Sequence, residues 1–210
     1  MSAFRGVHTM AGRISEHASI LRATSAPAAG HPATALAVDI ADPDSLLTPA
    51  GLASLLAEAH SAVSTFGRGG EVRVRLVSDA EMAAAHLKFS KIPGTTDVLT
   101  FDLSEGTTAQ GEPFDADILA CVDEARRQAA PRSLPVEREL LLYILHGALH
   151  CLGFDDHDDA AFELMHAEED RILTAIGIGP IFSFEPSAQA EEPPIHNKVR
   201  RLSTNPEGQS

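Results

Sequence analysis

The chain has 210 residues, 44% hydrophobic and 22% charged, proportions close to the globular average that exclude a wholly disordered protein. With 16 Lys and Arg against 30 Asp and Glu the net charge is −14, which excludes diffuse attraction to nucleic acid or anionic lipid; any such contact needs a local basic patch. Two cysteines, Cys121 and Cys151, are too few for a disulfide framework, and no apolar run reaches the roughly 20 residues of a membrane span, so a cytoplasmic protein with no membrane partner is expected.

Residues 1–34 carry Arg5, Arg13 and Arg22 among many Ala and Ser, without the apolar block of a secretory signal, and read as a disordered or mis-started extension. Ordered sequence begins at Ala35. The apolar run Ala35 to Ile40 is a strand that Asp42, Pro43 and Asp44 break. Thr48 then caps a helix with Pro49 in its first position, and Leu52, Leu55, Leu56, Ala59 and Val63 fall on one face. Glu71 to Val77 alternates, placing Val72, Val74 and Leu76 on one side of a strand and Arg73 and Arg75 on the other.

Ser78 with Glu81 forms a capping box that starts a helix towards Phe89, interrupted at Pro93-Gly94. Two β segments follow, Asp97 to Leu103 and Asp117 to Val122, as a hairpin or neighbouring pair. Helices are expected over Asp123 to Ala130, Val136 to Leu152 and Ala160 to Ile176. The second of these shows little polar face and should be buried. Beyond residue 184 the chain is rich in Pro and mixed in charge, and reads as a disordered tail. The expected fold is α+β, a single domain over residues 35–184 with a small mixed sheet of about four strands packed with helices.

The chemistry concentrates in His146 to Asp159, HGALHCLGFDDHDD. His146 and His150, four apart on a helix, project from one face one turn apart. Gly153, free to take positive φ, lets the chain double back and bring Asp156 or His157 to the same point. Two His with a third nitrogen or oxygen donor and a place left for water make a catalytic zinc arrangement. Cys151 points about 100° away from its neighbour His150 and is assigned to the core. Zinc peptidases place Glu directly after the first His as general base. Here that position is Gly147, so a metallopeptidase-like hydrolase is the alternative reading.

HGALHCLGFDDHDD resembles the H-G-x-L-H-L-x-G-Y-D-H signature of the YbeY-type endoribonucleases, the rRNA maturation factors. TTDVLTFDL resembles the family's P-T-D-V-L-S-F-P segment, and DADILACV its G-D-I-x-I-S strand. The resemblance covers about Ala35 to Phe184. It implies one Zn²⁺ per chain and hydrolysis of single-stranded RNA in maturing the small-subunit rRNA 3′ end and in ribosome quality control. The implied partners are rRNA and the ribosomal small subunit, not DNA. Matched by position, His146 and His150 are zinc ligands and His146 belongs to the catalytic site. The family's final His falls on Asp156, with His157 one residue further on; a one-residue loop adjustment makes His157 the expected third ligand. His86 and Asp156 are the candidate general bases. A basic residue of the family's N-x-x-[YF]-R pattern is replaced by Ser90, and His86 stands at the Asn, which keeps open a non-catalytic ribosome-associated module with structural zinc. Arg73 and Arg75, on one sheet face, are candidates for the basic patch, and Asp97 and Asp117 are expected to cap turns.

Overall fold

The computed structural model describes residues 8–10, 36–104 and 113–182. The tail expected beyond residue 184 and most of the extension expected at residues 1–34 lie outside them. In chain order the elements are β1 (His8–Met10), β2 (Leu36–Ala41), α1 (Pro49–Ser64), β3 (Gly70–Val77), α2 (Asp79–Ser90), β4 (Val98–Asp102), β5 (Phe114–Cys121), α3 (Val122–Ala129), a 3₁₀ turn (Ala130–Arg132), α4 (Val136–Cys151) and α5 (Asp159–Ala175).

Local chemistry fixes the helix starts. Thr48 Oγ1 accepts the Gly51 N–H at 3.1 Å ahead of Pro49, and Ser78 and Glu81 close a reciprocal capping box. The sheet is mixed, in the order β1-β4-β5-β3-β2. Strands β2, β3 and β5 run parallel, β4 is antiparallel to β5, and β1 pairs parallel with β4. The four expected strands are present, the expected neighbouring pair is β4–β5, and three residues of the stretch read as an extension supply the short edge strand β1.

Strand β5 starts at Phe114, three residues earlier than alternation predicts. Aspartate disfavours strands, so the stretch up to Asp115 reads as loop and the expected strand opens only at Asp117. In the fold both carboxylates bond the Arg73 guanidinium on neighbouring β3, and Phe114 is buried opposite Gly70. The charge pairing offsets the poor propensity.

The two faces of the sheet are covered differently. Val72, Val74, Leu76, Val98, Ala116, Ile118 and Ala120 join α1, α4 and α5 in the main core. On the other face Val77, Leu99, Phe101, Leu119 and Cys121 pack with Met82 of α2. Helix α4 lies against β4, β5, α1 and α3, and every residue from Glu139 to Cys151 is buried. That deep burial carries His146 into the interior.

Candidate metal centre

Helix α4 ends in a Schellman arrangement. Gly153 takes φ +94°, its N–H reaches the His150 carbonyl at 2.9 Å, and the Phe154 N–H reaches Leu149 at 3.1 Å. The chain therefore reverses immediately after the second histidine. The same turn sets the His150 ring, whose Nδ1 lies 3.1 Å from the Phe154 carbonyl oxygen. A carbonyl only accepts, so Nδ1 carries the hydrogen and Nε2 is a bare lone pair.

His146 is fixed by α5. Its Nδ1 lies 2.8 Å from Glu169 Oε1, and Glu169 is fully buried. Burial pushes the Glu169 carboxyl up, but hydrogen bonds from His146 and His166 outweigh it and hold the group below the usual carboxylate range. Glu169 is thus an ionised acceptor, His146 Nδ1 donates to it, and His146 Nε2 is also bare. Burial, and then the neighbouring His146, push the His150 pKa down, which favours the neutral ring that binds metals.

The two Nε2 atoms lie 3.0 Å apart. The Asp156 oxygens complete the group at 3.8 Å from each of them, and the three donor atoms lie within 4.8 Å of one another. With each ring's hydrogen on Nδ1, two lone pairs and a carboxylate converge, and a cation is what such a pocket lacks. The residues fit a divalent metal by donor type as well, since two imidazoles and one carboxylate are an established ligand set.

The third donor brought to this pair is Asp156 rather than the expected His157. With Gly153 turning the chain at once, the sixth residue after His150 arrives at the pocket and no loop adjustment is needed. His157 faces out with its side chain 77% exposed, and its Nδ1 bonds Asp155, which raises its pKa. Asp158 caps α5 through the Ala161 N–H at 2.8 Å, so part of the acidic run is a helix entrance. His86 is held on α2 with Nδ1 3.0 Å from the Gly94 carbonyl and is not among the residues of the donor cluster. Glu169 and His166 were not anticipated. An i, i+3 His and Glu inside an acidic helix carry no signal of their own until the fold sets α5 beside α4.

Gly147 explains why no glutamate follows the first histidine. A Cβ there would fall 2.5 Å from Thr100 Oγ1 on β4, so α4 packs on the sheet at the position where a peptidase places its base. Asp97 does serve its turn: Oδ1 accepts the Val98 N–H at 2.8 Å and the Thr96 hydroxyl at 2.9 Å, while burial pushes its pKa up. Asp117 instead pairs with Arg73 at 2.6 Å. Arg73 also bonds Glu71 and Asp115, and Arg75 bonds Glu81, so the proposed arginine patch is spent on internal ion pairs. Cys151 lies in the core, as expected, and burial drives its thiol pKa up.

The Endoribonuclease YbeY family model matches residues 49–177. The chain belongs to this family. Among its relatives, the endoribonuclease YbeY of Halorhodospira halophila is 38% identical over 123 residues, covering 58% of this chain and 76% of the relative. That of Chloroflexus aggregans is 33% identical over 147 residues, covering 67% of this chain and 96% of the relative. The solution structure of TM1509 from Thermotoga maritima is similar at a TM-score of 0.46 and 23% identity, covering 72% of this chain and 98% of that one. Family membership supports an RNA endonuclease role. Among the described residues no helix is long and apolar enough to cross a membrane.

Proposed function

We propose that the protein is a zinc-dependent, single-strand-specific endoribonuclease that works in the cytoplasm on the small-subunit rRNA 3′ end and in ribosome quality control. The observation that carries the metal reading is the acceptor-only pocket of His146, His150 and Asp156, whose two imidazoles have already spent their Nδ1 hydrogens on Glu169 and Phe154. The rRNA substrate and the ribosomal small subunit as partner rest on the family resemblance. When bound, the metal supplies Lewis-acid activation of water or of a phosphoryl oxygen.

The chain's own residues contribute the rest. Glu169 and the Phe154 carbonyl orient the two rings, Asp156 adds the negative charge that favours a divalent cation, and the fully buried His146 keeps the inner wall of the site dry. The packing of Gly147 on Thr100 counts against the peptidase reading, since a side chain with a carboxylate has no room there.

Cleavage of an rRNA 3′ fragment, with and without mild chelation, tests the reading. The expected result is cutting of single-stranded segments that chelation abolishes while the circular dichroism of the protein stays native. Unfolding on chelation would favour zinc that only braces the fold, and stoichiometric metal without cleavage, even with small subunits added, would favour a binding module. A 2′,3′-cyclic phosphate on the product would exclude direct attack by water in the first step.

A further inference from the structure

We infer that Glu169 and His166 of α5 form a positioning pair for the metal centre. Glu169 selects the Nδ1–H tautomer of His146, and His166 fixes Glu169. This rests on the metal reading above only for its effect on affinity. The tautomer is a property of the metal-free protein.

The geometry is a string of buried groups. Glu169 divides its two oxygens, Oε1 to His146 Nδ1 at 2.8 Å and Oε2 to His166 Nδ1 at 2.5 Å. A carboxylate bound at only one oxygen can rotate about its last bond; bound at both, it presents a fixed lone pair to each ring. All three residues are at most 2% exposed, so water does not compete for these bonds. His166 is itself clamped. Its ring lies 4.1 Å from Phe162, edge to face, and 4.1 Å from Phe182, stacked at 22°. Backbone beyond α5 is tied in as well, with the Ile181 and Phe182 N–H groups reaching Asp170 Oδ1 at 2.6 and 2.9 Å.

The consequence is electrostatic as well as steric. Neutral imidazole has one hydrogen and two nitrogens to place it on, and the wrong tautomer of His146 would put N–H, not a lone pair, against His150 Nε2 and Asp156. An ionised Glu169 at 2.8 Å holds the hydrogen on Nδ1 and raises the basicity of Nε2, the role that carboxylates play behind metal-bound histidines, whose loss costs about 10- to 100-fold in metal affinity. Helix α5 is therefore part of the metal centre although it supplies none of the three clustered donors, and the packing of Phe182 on His166 extends that dependence to the segment after the helix.

The experiment uses the full chain as wild type, Glu169→Gln, Glu169→Asp and His166→Ala. It reads the His146 tautomer by long-range ¹H–¹⁵N NMR without metal, and zinc affinity by competition with a chromophoric chelator. In the wild type His146 is expected as the Nδ1–H form. Glu169→Gln mixes the tautomers and weakens zinc binding about 10- to 100-fold, Glu169→Asp recovers part of both, and His166→Ala gives a smaller loss. Native circular dichroism of Glu169→Gln separates this from misfolding, and should that variant fail to fold, Glu169→Asp and His166→Ala carry the same comparison. An unchanged His146 tautomer in folded variants, or zinc affinity equal to wild type, overturns the proposal. A wild type that takes up no zinc sinks the metal reading instead, and the tautomer measurement still decides the role of Glu169.

Discussion

The two faces of the sheet each carry a polar cluster with buried members, and the clusters differ in whether their acceptors meet a donor from within the protein. On the α2 face, Arg73 meets Glu71, Asp115 and Asp117: donors and acceptors answer one another within the protein. On the α4 face, His146, His150 and Asp156 present acceptors to a common point and their remaining donors are already spent. A cluster whose acceptors share a guanidinium donor holds strands together, whereas one made only of acceptors is built for a cation from outside. Both clusters hold buried ionisable groups, so burial alone does not separate scaffold from site.

Mutations sharpen this contrast from its strongest term downward. His150→Ala should reduce zinc affinity by more than the about 10- to 100-fold that removing a supporting residue costs, because it deletes a ligand; equilibrium dialysis against zinc checks it. On the other face, Arg73→Met should leave metal content at the wild-type value and destabilise the fold by about 3–5 kcal/mol, since the buried Asp117 loses its ion pair with the guanidinium. Urea unfolding measures that difference. A loss of metal in Arg73→Met would break the separation of the two faces.

Gly147→Ala should cost about 1–3 kcal/mol by pushing α4 off Thr100, with larger loss for Gly147→Glu, read from the same unfolding curves. The smallest term is titration. In metal-free protein the pKa of His150 is depressed by burial, so below its unfolded value of about 6.5 the unfolded chain takes up a proton that the folded chain resists. Stability should therefore be fully present above that pH and fall as the pH drops from about 7 to 5, by at most about 1.4 kcal/mol per pH unit for this one group. His150→Gln should flatten that slope in unfolding measured across the interval.

Much of the fold was legible because its signals are local. Thr48-Pro49, Ser78 with Glu81, and the alternation of Glu71 to Val77 each act within a few residues, and the elements they predict are those found. The i, i+4 pair His146 and His150 is local in the same way. What could not be read depends on neighbours distant in sequence. The early start of β5 needs Arg73 from β3, the pairing of Arg73 needs Asp115 and Asp117 of β5, and Glu169 becomes visible only when α5 packs beside α4. The third donor poses a different contrast: residue type favours His157, while the turn at Gly153 brings Asp156 beside the histidine pair.

Metal stoichiometry of Asp156→Ala beside His157→Ala tests the acceptor-only centre most directly. With Asp156 as the third donor, His157→Ala should keep about one zinc per chain under conditions that saturate the wild type, and Asp156→Ala should lose it. Full zinc in Asp156→Ala together with its loss in His157→Ala would contradict the account.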